Sequence, residues 1–124
     1  MSLDEQIEIL RVGTGLARAR AATQLGQMGD KHAEVALLEA LSDKNSTVRS
    51  NAAFALGEIK SSAAVPQLIN LMADEDQWVR KSTAKALGLL RAKEAIPALQ
   101  KALSDSSDQV RRNVERSLKL ITES

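Results

Sequence analysis

The chain has 124 residues, of which 44% are hydrophobic, and its 17 basic and 16 acidic residues leave a formal net charge of +1. This length suits a single domain, and the lack of cysteine excludes disulfides and thiolate chemistry. No apolar run approaches the ~20 residues that a membrane-spanning helix needs, and no signal peptide is visible, so we expect a cytoplasmic protein without a membrane segment.

The first predicted element is a helix over residues 3–11, because Leu3, Ile7 and Leu10 recur at helical spacing. Ile9 makes this short segment more apolar than the end of a domain usually is. Three interpretations stay open: a closely packed cap, a homodimer interface, or a surface on which further repeats stack.

A 31-residue repeat follows, because the dipeptide Val-Arg recurs at residues 48–49, 79–80 and 110–111. Ten of the 31 positions are identical between residues 43–73 and residues 74–104. A fixed period of this size is typical of stacked repeat proteins. We therefore predict one domain over residues 1–124, with a half repeat 1–12, repeats 13–42, 43–73 and 74–104, and a capping helix 105–124.

Each repeat begins with a long helix, here named helix A, which in the second repeat runs from about Asn45 to Lys60. Its inner face is marked by residues at steps of four, four and three, which is helical spacing: Val48, Ala52, Leu56 and Ile59. The residue before each A helix is able to accept a hydrogen bond from the free amides of the first turn. These predicted N-cap residues are Thr14, Asn45, Asp76 and Ser107.

A shorter helix, here named helix B, follows in each complete repeat and runs from about Ala63 to Ala73 in the second. Pro66 lies in its first turn, and Pro97 lies at the same position one period later. Proline is tolerated there because the amide that it lacks has no intrahelical partner. The two prolines therefore mark the beginnings of B helices.

Glycine recurs at one register inside helix A, as Gly26, Gly57 and Gly88. Because a helical glycine costs about 1 kcal/mol relative to alanine, we expect a neighbouring helix to approach too closely there for a side chain. The last unit has a helix A and no helix B. It carries Lys119 at the glycine register and Glu115 at a second close-packing position, so we predict that it caps the array with a polar outer face.

These motifs resemble the HEAT repeats, specifically the short HEAT-like repeats of phycobilisome (PBS) lyase subunits. The family pattern is an Asp, a Val-Arg pair, an Ala-rich stretch ending in Leu-Gly, and an apolar residue before a proline. In this chain it consists of Asp43, Val48-Arg49, Leu56-Gly57 and Val65-Pro66, and it recurs one period later. The resemblance implies an all-α fold, an α-α superhelix or HEAT-like solenoid of about eight helices with a 31-residue repeat.

The resemblance also implies a structural ladder of hydrogen bonds between Asp and Arg side chains along successive units. The implied pairs are Asp43–Arg49, Asp74–Arg80 and Asp105–Arg111. The first unit departs from the pattern, since Val12 stands where Arg18 would have its Asp. Two alternatives stay open for Arg18: it binds the Asp of the next unit, or it is solvated.

The sequence predicts no catalytic residues, no metal site and no cofactor. The one histidine, His32, is followed by Ala33, so the repeated His-Glu pairs that hold iron in some HEAT-like enzymes are not matched. The segment Gly13-Thr14-Gly15 lacks the lysine and the spacing of a phosphate-binding loop. We therefore expect a protein without catalysis of its own.

In HEAT-like stacks the B helices line the concave surface, so the resemblance places a partner-binding site there. One column of residues a period apart consists of Glu5, Ala36, Gln67 and Ala98, and a second consists of Glu8, Glu39, Asn70 and Lys101. The second column changes from acidic through neutral to basic along the array. The predicted contacts with a protein or peptide are the polar members: Glu5, Glu8, Glu39, Gln67, Asn70 and Lys101.

The outer face of the last two A helices is expected to carry a basic patch of Lys81, Lys85, Arg112 and Arg116. Phe54 and Trp78 are the only aromatic residues, and both are expected to face solvent on the same side. The patch favours nucleic-acid binding as an alternative. Two aromatic residues are few for base stacking, however, and the charges of the whole chain balance.

The sequence therefore favours a non-catalytic protein–protein interaction or scaffolding module that holds a partner on a curved surface. An accessory subunit of a bilin lyase, or of a similar modifying enzyme, is the alternative that the family resemblance implies. A HEAT-like module that binds nucleic acid is the second alternative. A homodimer through the apolar N-terminal half repeat is compatible with each of them.

Overall fold

A computed structural model describes residues 1–123, and every regular element in this range is helical. Eight α-helices alternate between long and short from the second onward. Their bounds are α1 (Leu3–Val12), α2 (Gly15–Met28), α3 (Glu34–Ala40), α4 (Ser46–Glu58), α5 (Val65–Leu71), α6 (Gln77–Leu89), α7 (Ile96–Lys101) and α8 (Asp108–Thr122). The all-α solenoid with about eight helices that the sequence predicts is confirmed.

The helices form two layers. The A layer consists of the long helices α2, α4, α6 and α8, each packed along the next. The B layer consists of α1, α3, α5 and α7, each packed against the A helix that follows it. The A helices are stacked closely, whereas α3, α5 and α7 approach one another only sparsely.

Every A helix begins at the predicted N-cap residue. The side chains of Thr14, Asn45, Asp76 and Ser107 each accept a hydrogen bond from an amide of the first turn. Because the first amides of a helix have no intrahelical partner, these caps determine where each A helix starts. Short polar side chains at one register therefore account for the regular spacing of the A layer.

The helices α3, α5 and α7 are each entered through a short 3-10 turn, of which Ser62–Ala64 is the example in the second repeat. Pro66 and Pro97 lie within the first turns of α5 and α7, as predicted. Alanines at the ends of these turns, Ala33, Ala64 and Ala95, are fully buried. A small side chain at this position lets the turn pack directly onto the core.

The hydrophobic core lies between the two layers and repeats with the period. Leu25, Leu56 and Leu87 from the A helices are fully buried, as are Leu37, Leu68 and Leu99 from the B helices. Removing such a leucine leaves a cavity that the neighbouring units close only in part. The core is thus continuous from unit to unit.

Close contact between A helices occurs where the glycines stand. A Cβ atom added to Gly57 would lie 2.9 Å from the Cα of Ala86, and one added to Gly88 would lie 3.0 Å from the Cα of Ser117. Both are backbone atoms of the next A helix, and at Ala86 the Cβ is also only 3.1 Å away. The expectation that a neighbouring helix approaches these glycines too closely for a side chain therefore agrees with the packing.

The ladder of arginine and aspartate differs in register from the pairs that the resemblance implied. Each arginine binds the aspartate of the following unit with Nε, at 2.9 Å in every case: Arg18 to Asp43, Arg49 to Asp74 and Arg80 to Asp105. Within a unit the contact is made to the backbone, since Arg49, Arg80 and Arg111 donate to the carbonyl oxygens of Asp43, Asp74 and Asp105. The implied side-chain pairs were thus wrong by one unit: Asp43–Arg49, Asp74–Arg80 and Asp105–Arg111. Geometry explains this, because the arginine rises from a helix start toward the next loop.

This arrangement connects three consecutive elements through each arginine. Arg49 donates to the carboxylate of Asp74 and, through Nη1, to the carbonyl oxygen of Asp43 at 2.9 Å. The Asp74 carboxylate in turn accepts from the amide of Asp76, the N-cap of α6. Each rung therefore ties one unit to the helix start of the next. Arg18 makes the same contacts with Asp43 and with the carbonyl of Gly13.

A second set of inter-unit bonds lies at the opposite ends of the A helices. Lys31, Lys60 and Arg91 donate side-chain hydrogen bonds to the carbonyl oxygens of Lys60, Leu89 and Leu120 in the following units. Gly29, Lys60 and Arg91 share a register one period apart, and all have positive φ, at 68°, 59° and 50°. A residue in the left-handed conformation thus ends each of these A helices. In two repeats this residue is Lys60 or Arg91, whose side chain also donates to a carbonyl oxygen of the next unit.

The two ends of the array differ in character. In α1, Leu10 is buried and Leu3, Ile7 and Ile9 are partly buried against the core. In α8, Glu115 and Lys119 are exposed at the positions where earlier A helices have small, buried residues. The outer surface of α8 is therefore polar, and its role as a cap stays a prediction. Within residues 1–123, no helix is both long and apolar enough to cross a bilayer.

Candidate partner-binding faces

The six predicted contact residues all lie exposed on one side of the array, which we call the B face: Glu5, Glu8, Glu39, Gln67, Asn70 and Lys101. The two other members of their columns do not reach solvent equally. Ala36 is buried, and Ala98 is partly buried. The second column of the B face is therefore polar throughout, whereas in the first column Ala36 and Ala98 alternate with the polar residues.

Two of the acidic residues on the B face already have partners. Glu5 completes a capping box with Ser2, because its carboxylate accepts from the Ser2 amide at 3.0 Å while its own amide donates to the Ser2 hydroxyl. The Ser2 hydrogen bonds hold the pKa of Glu5 below its usual value. Glu39 forms an exposed ion pair with Arg11 at 3.2 Å. The capping box at the start of α1 thus accounts for Glu5. The exposed ion pair between Glu39 and Arg11 is weak, so Glu39 is able to exchange Arg11 for another partner.

Two open depressions follow the B face. One, of about 320 Å³, lies between α3 and α5 and includes Gln67, Asn70 and Asp74. The other, of about 650 Å³, lies between α5 and α7 and includes Ile69, Ala98 and Lys101. The wide spacing of the B helices produces these depressions, and three of the predicted contacts, Gln67, Asn70 and Lys101, line them.

The opposite side of the array is formed by residues on the outward surface of the A helices. We call it the A face, and it consists of Arg20, Ser50, Phe54, Glu58, Trp78, Lys81, Lys85, Leu89, Arg112, Arg116 and Leu120. Ser50 joins two of its helices, because its hydroxyl is 2.7 Å from that of Ser82. Asn51 donates to the carbonyl oxygen of Ala19 on α2 at 2.9 Å. Side-chain hydrogen bonds therefore connect adjacent A helices along this face.

Each aromatic residue of the A face carries a lysine above its ring. The Lys85 ammonium lies 5.3 Å from the centroid of the Phe54 ring, and the Lys81 ammonium lies 5.3 Å from that of Trp78. Such distances allow a cation–π attraction of about 0.5–1 kcal/mol at an exposed site. Trp78 is 51% exposed, as expected, whereas Phe54 is half-buried. The lysines of the predicted basic patch are therefore held over apolar surface.

An apolar depression of about 230 Å³ lies beside Phe54. It is lined by residues of three helices: Phe54, Lys85, Leu89, Asn113, Arg116, Ser117 and Leu120. Leu120 is 42% exposed at its edge. The sequence did not predict this depression, because it depends on the distance between α4, α6 and α8. Its one visible signal was that Phe54 stands in the column of Lys85 and Arg116.

Burial distinguishes the one carboxylate of the A face. Burial raises the pKa of Glu58 above its usual value, because it disfavours the ionised form of the carboxylate. Its carboxylate stands over Gly26, at the contact between α2 and α4. Glu58 is thus part of the packing between helices.

The one histidine of the chain lies outside these two faces, beside the N-cap of a turn. His32 is exposed, and its ring nitrogen Nδ1 lies 2.8 Å from Asp30, the N-cap of the turn before α3. The His32 amide, and then its ring, hold the pKa of Asp30 below the usual value. In the part of the chain that the structure describes, no three side chains of His, Cys, Asp or Glu form a group able to hold a metal ion.

Comparison with known proteins agrees with this architecture. A family model described as HEAT repeats matches residues 4–69 and 34–119, which together span almost the whole chain. No curated protein matches the sequence significantly.

Two solved structures share the fold. Human deoxyhypusine hydroxylase in complex with glycerol is 29% identical, with a TM-score of 0.80 over 99% of this chain and 44% of that one. The complex of CpcE and CpcF of phycocyanin lyase from Nostoc sp. PCC7120 is 24% identical, with a TM-score of 0.78 over 100% of this chain and 66% of that one. The present chain therefore spans less than half of the hydroxylase and just under two thirds of the lyase chain, and the second likeness shows the fold alone.

Proposed function

We propose that this chain, which belongs to the HEAT-repeat family, is a non-catalytic module that binds a protein partner along an exposed face of its helical array. The observation that carries the proposal is the division of the side chains into two sets. Those that repeat with the period form the core, the caps and the ladder. Those of the A and B faces are less strictly repeated, as Phe54 in the register of Lys85 and Asn70 in that of Lys101 show, and most of them are exposed or partly buried.

Rigidity supports this division of roles. Each unit is joined to the next by an Arg–Asp rung whose side chains are only 9–14% exposed and by a buried core of leucines. A surface that is already ordered loses little conformational entropy when a partner binds. Stacked repeats use such extended surfaces for recognition.

The B face is the location that the sequence predicts, through Glu5, Glu8, Glu39, Gln67, Asn70 and Lys101. The five residues other than Glu5, which is committed to the capping box, supply a charge gradient beside two depressions. The A face is the second location. Both are compatible with a protein or peptide as the partner.

Cross-linked affinity capture from native cells tests the proposal. The bait is the chain itself, beside a B-face variant, Glu39→Lys with Lys101→Glu, and an A-face variant, Lys85→Glu with Arg116→Glu. We expect wild type to retain a protein in a fixed molar ratio and at least one variant to lose it, while all three unfold at the same temperature. Equal retention by all three baits would contradict binding through either face.

An accessory subunit of a bilin lyase or similar modifying enzyme is the second candidate. The observation that favours it is the fold shared with the complex of CpcE and CpcF of phycocyanin lyase. This candidate predicts that the captured partner is the second subunit of an enzyme. Reconstitution then separates the two: transfer of a bilin to its acceptor protein only when both chains are present supports the lyase role, and a partner without any modifying activity contradicts it.

A further inference from the structure

We propose that the A face binds an acidic segment of a protein partner, with an apolar side chain of that segment seated in the depression between Phe54, Leu89 and Leu120. This inference rests on the proposed function and specifies its surface and its partner chemistry. It moves the principal contact from the B face, where the sequence predicts it, to the opposite layer.

The charge of the A face is the first observation. Its members include five cations, Arg20, Lys81, Lys85, Arg112 and Arg116, and one carboxylate, Glu58. Two further carboxylates lie at its edges, Asp76 beside Trp78 and Glu115 beside Arg112 and Arg116. The rest of the chain compensates, since the formal net charge of the whole is only +1. A predominantly basic face on a nearly neutral molecule attracts a partner of the opposite charge.

The fold pairs none of these five cations with a carboxylate, although Lys81 and Lys85 lie over aromatic rings. Among residues 1–123, the ladder arginines Arg18, Arg49 and Arg80 are paired with carboxylates, whereas none of the five A-face cations lies within 4.0 Å of one. The carboxylates of the ladder are thus already paired with the ladder arginines. The five A-face cations are therefore available to carboxylates of a partner.

The apolar depression supplies the second half of the recognition. It is mostly hydrophobic, and Lys85 and Arg116 stand at its rim. A pocket for an apolar anchor surrounded by charged groups is the usual composition of the centre of a protein interface. An acidic segment without an apolar anchor would leave the apolar depression exposed to water, so we expect the segment to carry such an anchor.

The spacing of the layers favours the A face as the inner surface. The A helices approach each other at the glycines to within backbone contact, whereas α3, α5 and α7 are widely spaced. An array of repeats bends toward the layer in which its units are closer together. The A face is then the concave side, in contrast to the assignment that the resemblance implied for the B helices, and stacked repeats present such concave surfaces to their partners.

A protein segment fits the A face better than a nucleic acid does. Single-stranded nucleic acids stack their bases on aromatic rings, but here lysine ammonium groups occupy the ring faces of both Phe54 and Trp78. Stacking would first have to displace these cations. Carboxylates, by contrast, reach Lys81 and Lys85 where they stand.

Selection from a phage library of random dodecapeptides tests the inference without a known partner. We expect wild type to enrich peptides that combine several Asp or Glu residues with one large apolar residue. Synthetic peptides of the enriched sequence should bind at least ~10-fold more weakly, a loss of about 1.4 kcal/mol, to Lys85→Glu with Arg116→Glu. The matched control, Lys44→Glu with Lys93→Glu, makes the same change of net charge at exposed residues outside the A face and should bind like wild type.

The outcomes separate this inference from the proposed function. Equal losses in the two variants, or enriched peptides without acidic residues, would overturn the A-face site. Tighter binding of labelled oligothymidylate than of the acidic peptides would overturn it in favour of a nucleic acid. If cross-linked capture nevertheless retains a protein that Glu39→Lys with Lys101→Glu loses, the proposed function stands and the partner occupies the B face.

Discussion

Single charged residues are assigned to structure or left for a partner according to whether they follow the period. Arg49 repeats and is bound at both ends, to the Asp74 carboxylate and the Asp43 carbonyl oxygen. Lys85 has no carboxylate partner in the fold and only covers the Phe54 ring. The same chemical class thus has opposite roles, and the partner available within the fold decides between them.

Acid should destabilise the chain partly through the ladder. Hydrogen bonds from Arg18 hold the pKa of Asp43 below its usual 3.8. For Asp105, burial raises the pKa, but the hydrogen bonds from Arg80 and the Ser107 amide together outweigh burial and lower it. Because the folded pKa values are depressed, the stabilisation is present above about pH 4 and is lost as the pH falls through the folded values.

Urea unfolding as a function of pH measures this effect. We expect the free energy of unfolding of wild type to fall below about pH 4, with each aspartate contributing at most about 1.4 kcal/mol per pH unit. Asp43→Asn should be less stable at neutral pH and should show a shallower fall in acid. An unchanged slope in this variant would contradict the assignment of the linkage to Asp43.

The residue that ends each A helix offers a second prediction. Lys60 has a φ of 59°, in the register where the first repeat has Gly29. Both Lys60→Ala and Lys60→Gly lose the hydrogen bond to the Leu89 carbonyl oxygen, but only glycine relieves the left-handed strain. We expect Lys60→Gly to be more stable than Lys60→Ala by about 1 kcal/mol in urea unfolding.

The control for this pair lies inside a helix. Gln24 is exposed within α2, so there Ala should be more stable than Gly by about 1 kcal/mol. The same order of Ala and Gly at both positions would show that the positive φ at Lys60 carries no strain.

At the scale of the helices, close packing in the A layer determines the shape of the array. Gly57 has no room for a Cβ because the Ala86 backbone occupies the space. Intrinsic preference alone would favour alanine inside α4. The contact between helices outweighs that preference, which is why glycine recurs at this register.

Gly57→Ala should therefore destabilise the chain by about 1–3 kcal/mol, because overpacking exceeds the gain in helix propensity. Thermal and urea unfolding both measure it. The matched control is Gly15→Ala, where the new Cβ meets only the Asn45 side-chain amide, which is able to move, so little change is expected. A stabilised Gly57→Ala would mean that α4 and α6 are not packed as described.

The α1 helix carries a separate expectation, since a homodimer through the N-terminal half repeat stays a prediction. Val12 and Leu16 are exposed, at 71% and 64%, where α1 gives way to α2. A dimer that uses this end should become monomeric in Val12→Glu with Leu16→Glu, as measured by sedimentation. A monomer at all concentrations in wild type would contradict it.

At the scale of the whole molecule, the features that the sequence predicts well are those set by local chemistry. The N-caps Asn45 and Asp76, the first-turn proline Pro66 and the close-packed Gly57 each depend on their own helix or its nearest neighbour, and each was placed correctly. The register of the ladder was not, because the choice between Asp43 and Asp74 for Arg49 depends on how one unit is rotated onto the next.

The candidate sites depend still more on that rotation. Exposure of Glu39 and Lys101 follows from helical periodicity and was predictable. The depression beside Phe54 arises only when α4, α6 and α8 are set at their actual spacing, and the bond from Lys60 to the Leu89 carbonyl needs the same information. Surface recognition therefore lies largely beyond what a single repeat encodes, even where the repeat encodes the fold.

Calorimetric titration of the captured partner into three forms of the chain tests most directly whether binding resides in the residues that break the period. The forms are wild type, Lys85→Glu with Arg116→Glu, and Glu39→Lys with Lys101→Glu. We expect the A-face variant to weaken Kd by at least ~10-fold, about 1.4 kcal/mol, the B-face variant to weaken it less, and all three to unfold at the same temperature. Equal affinities in all three, or losses of affinity that follow losses of thermal stability, would contradict the account.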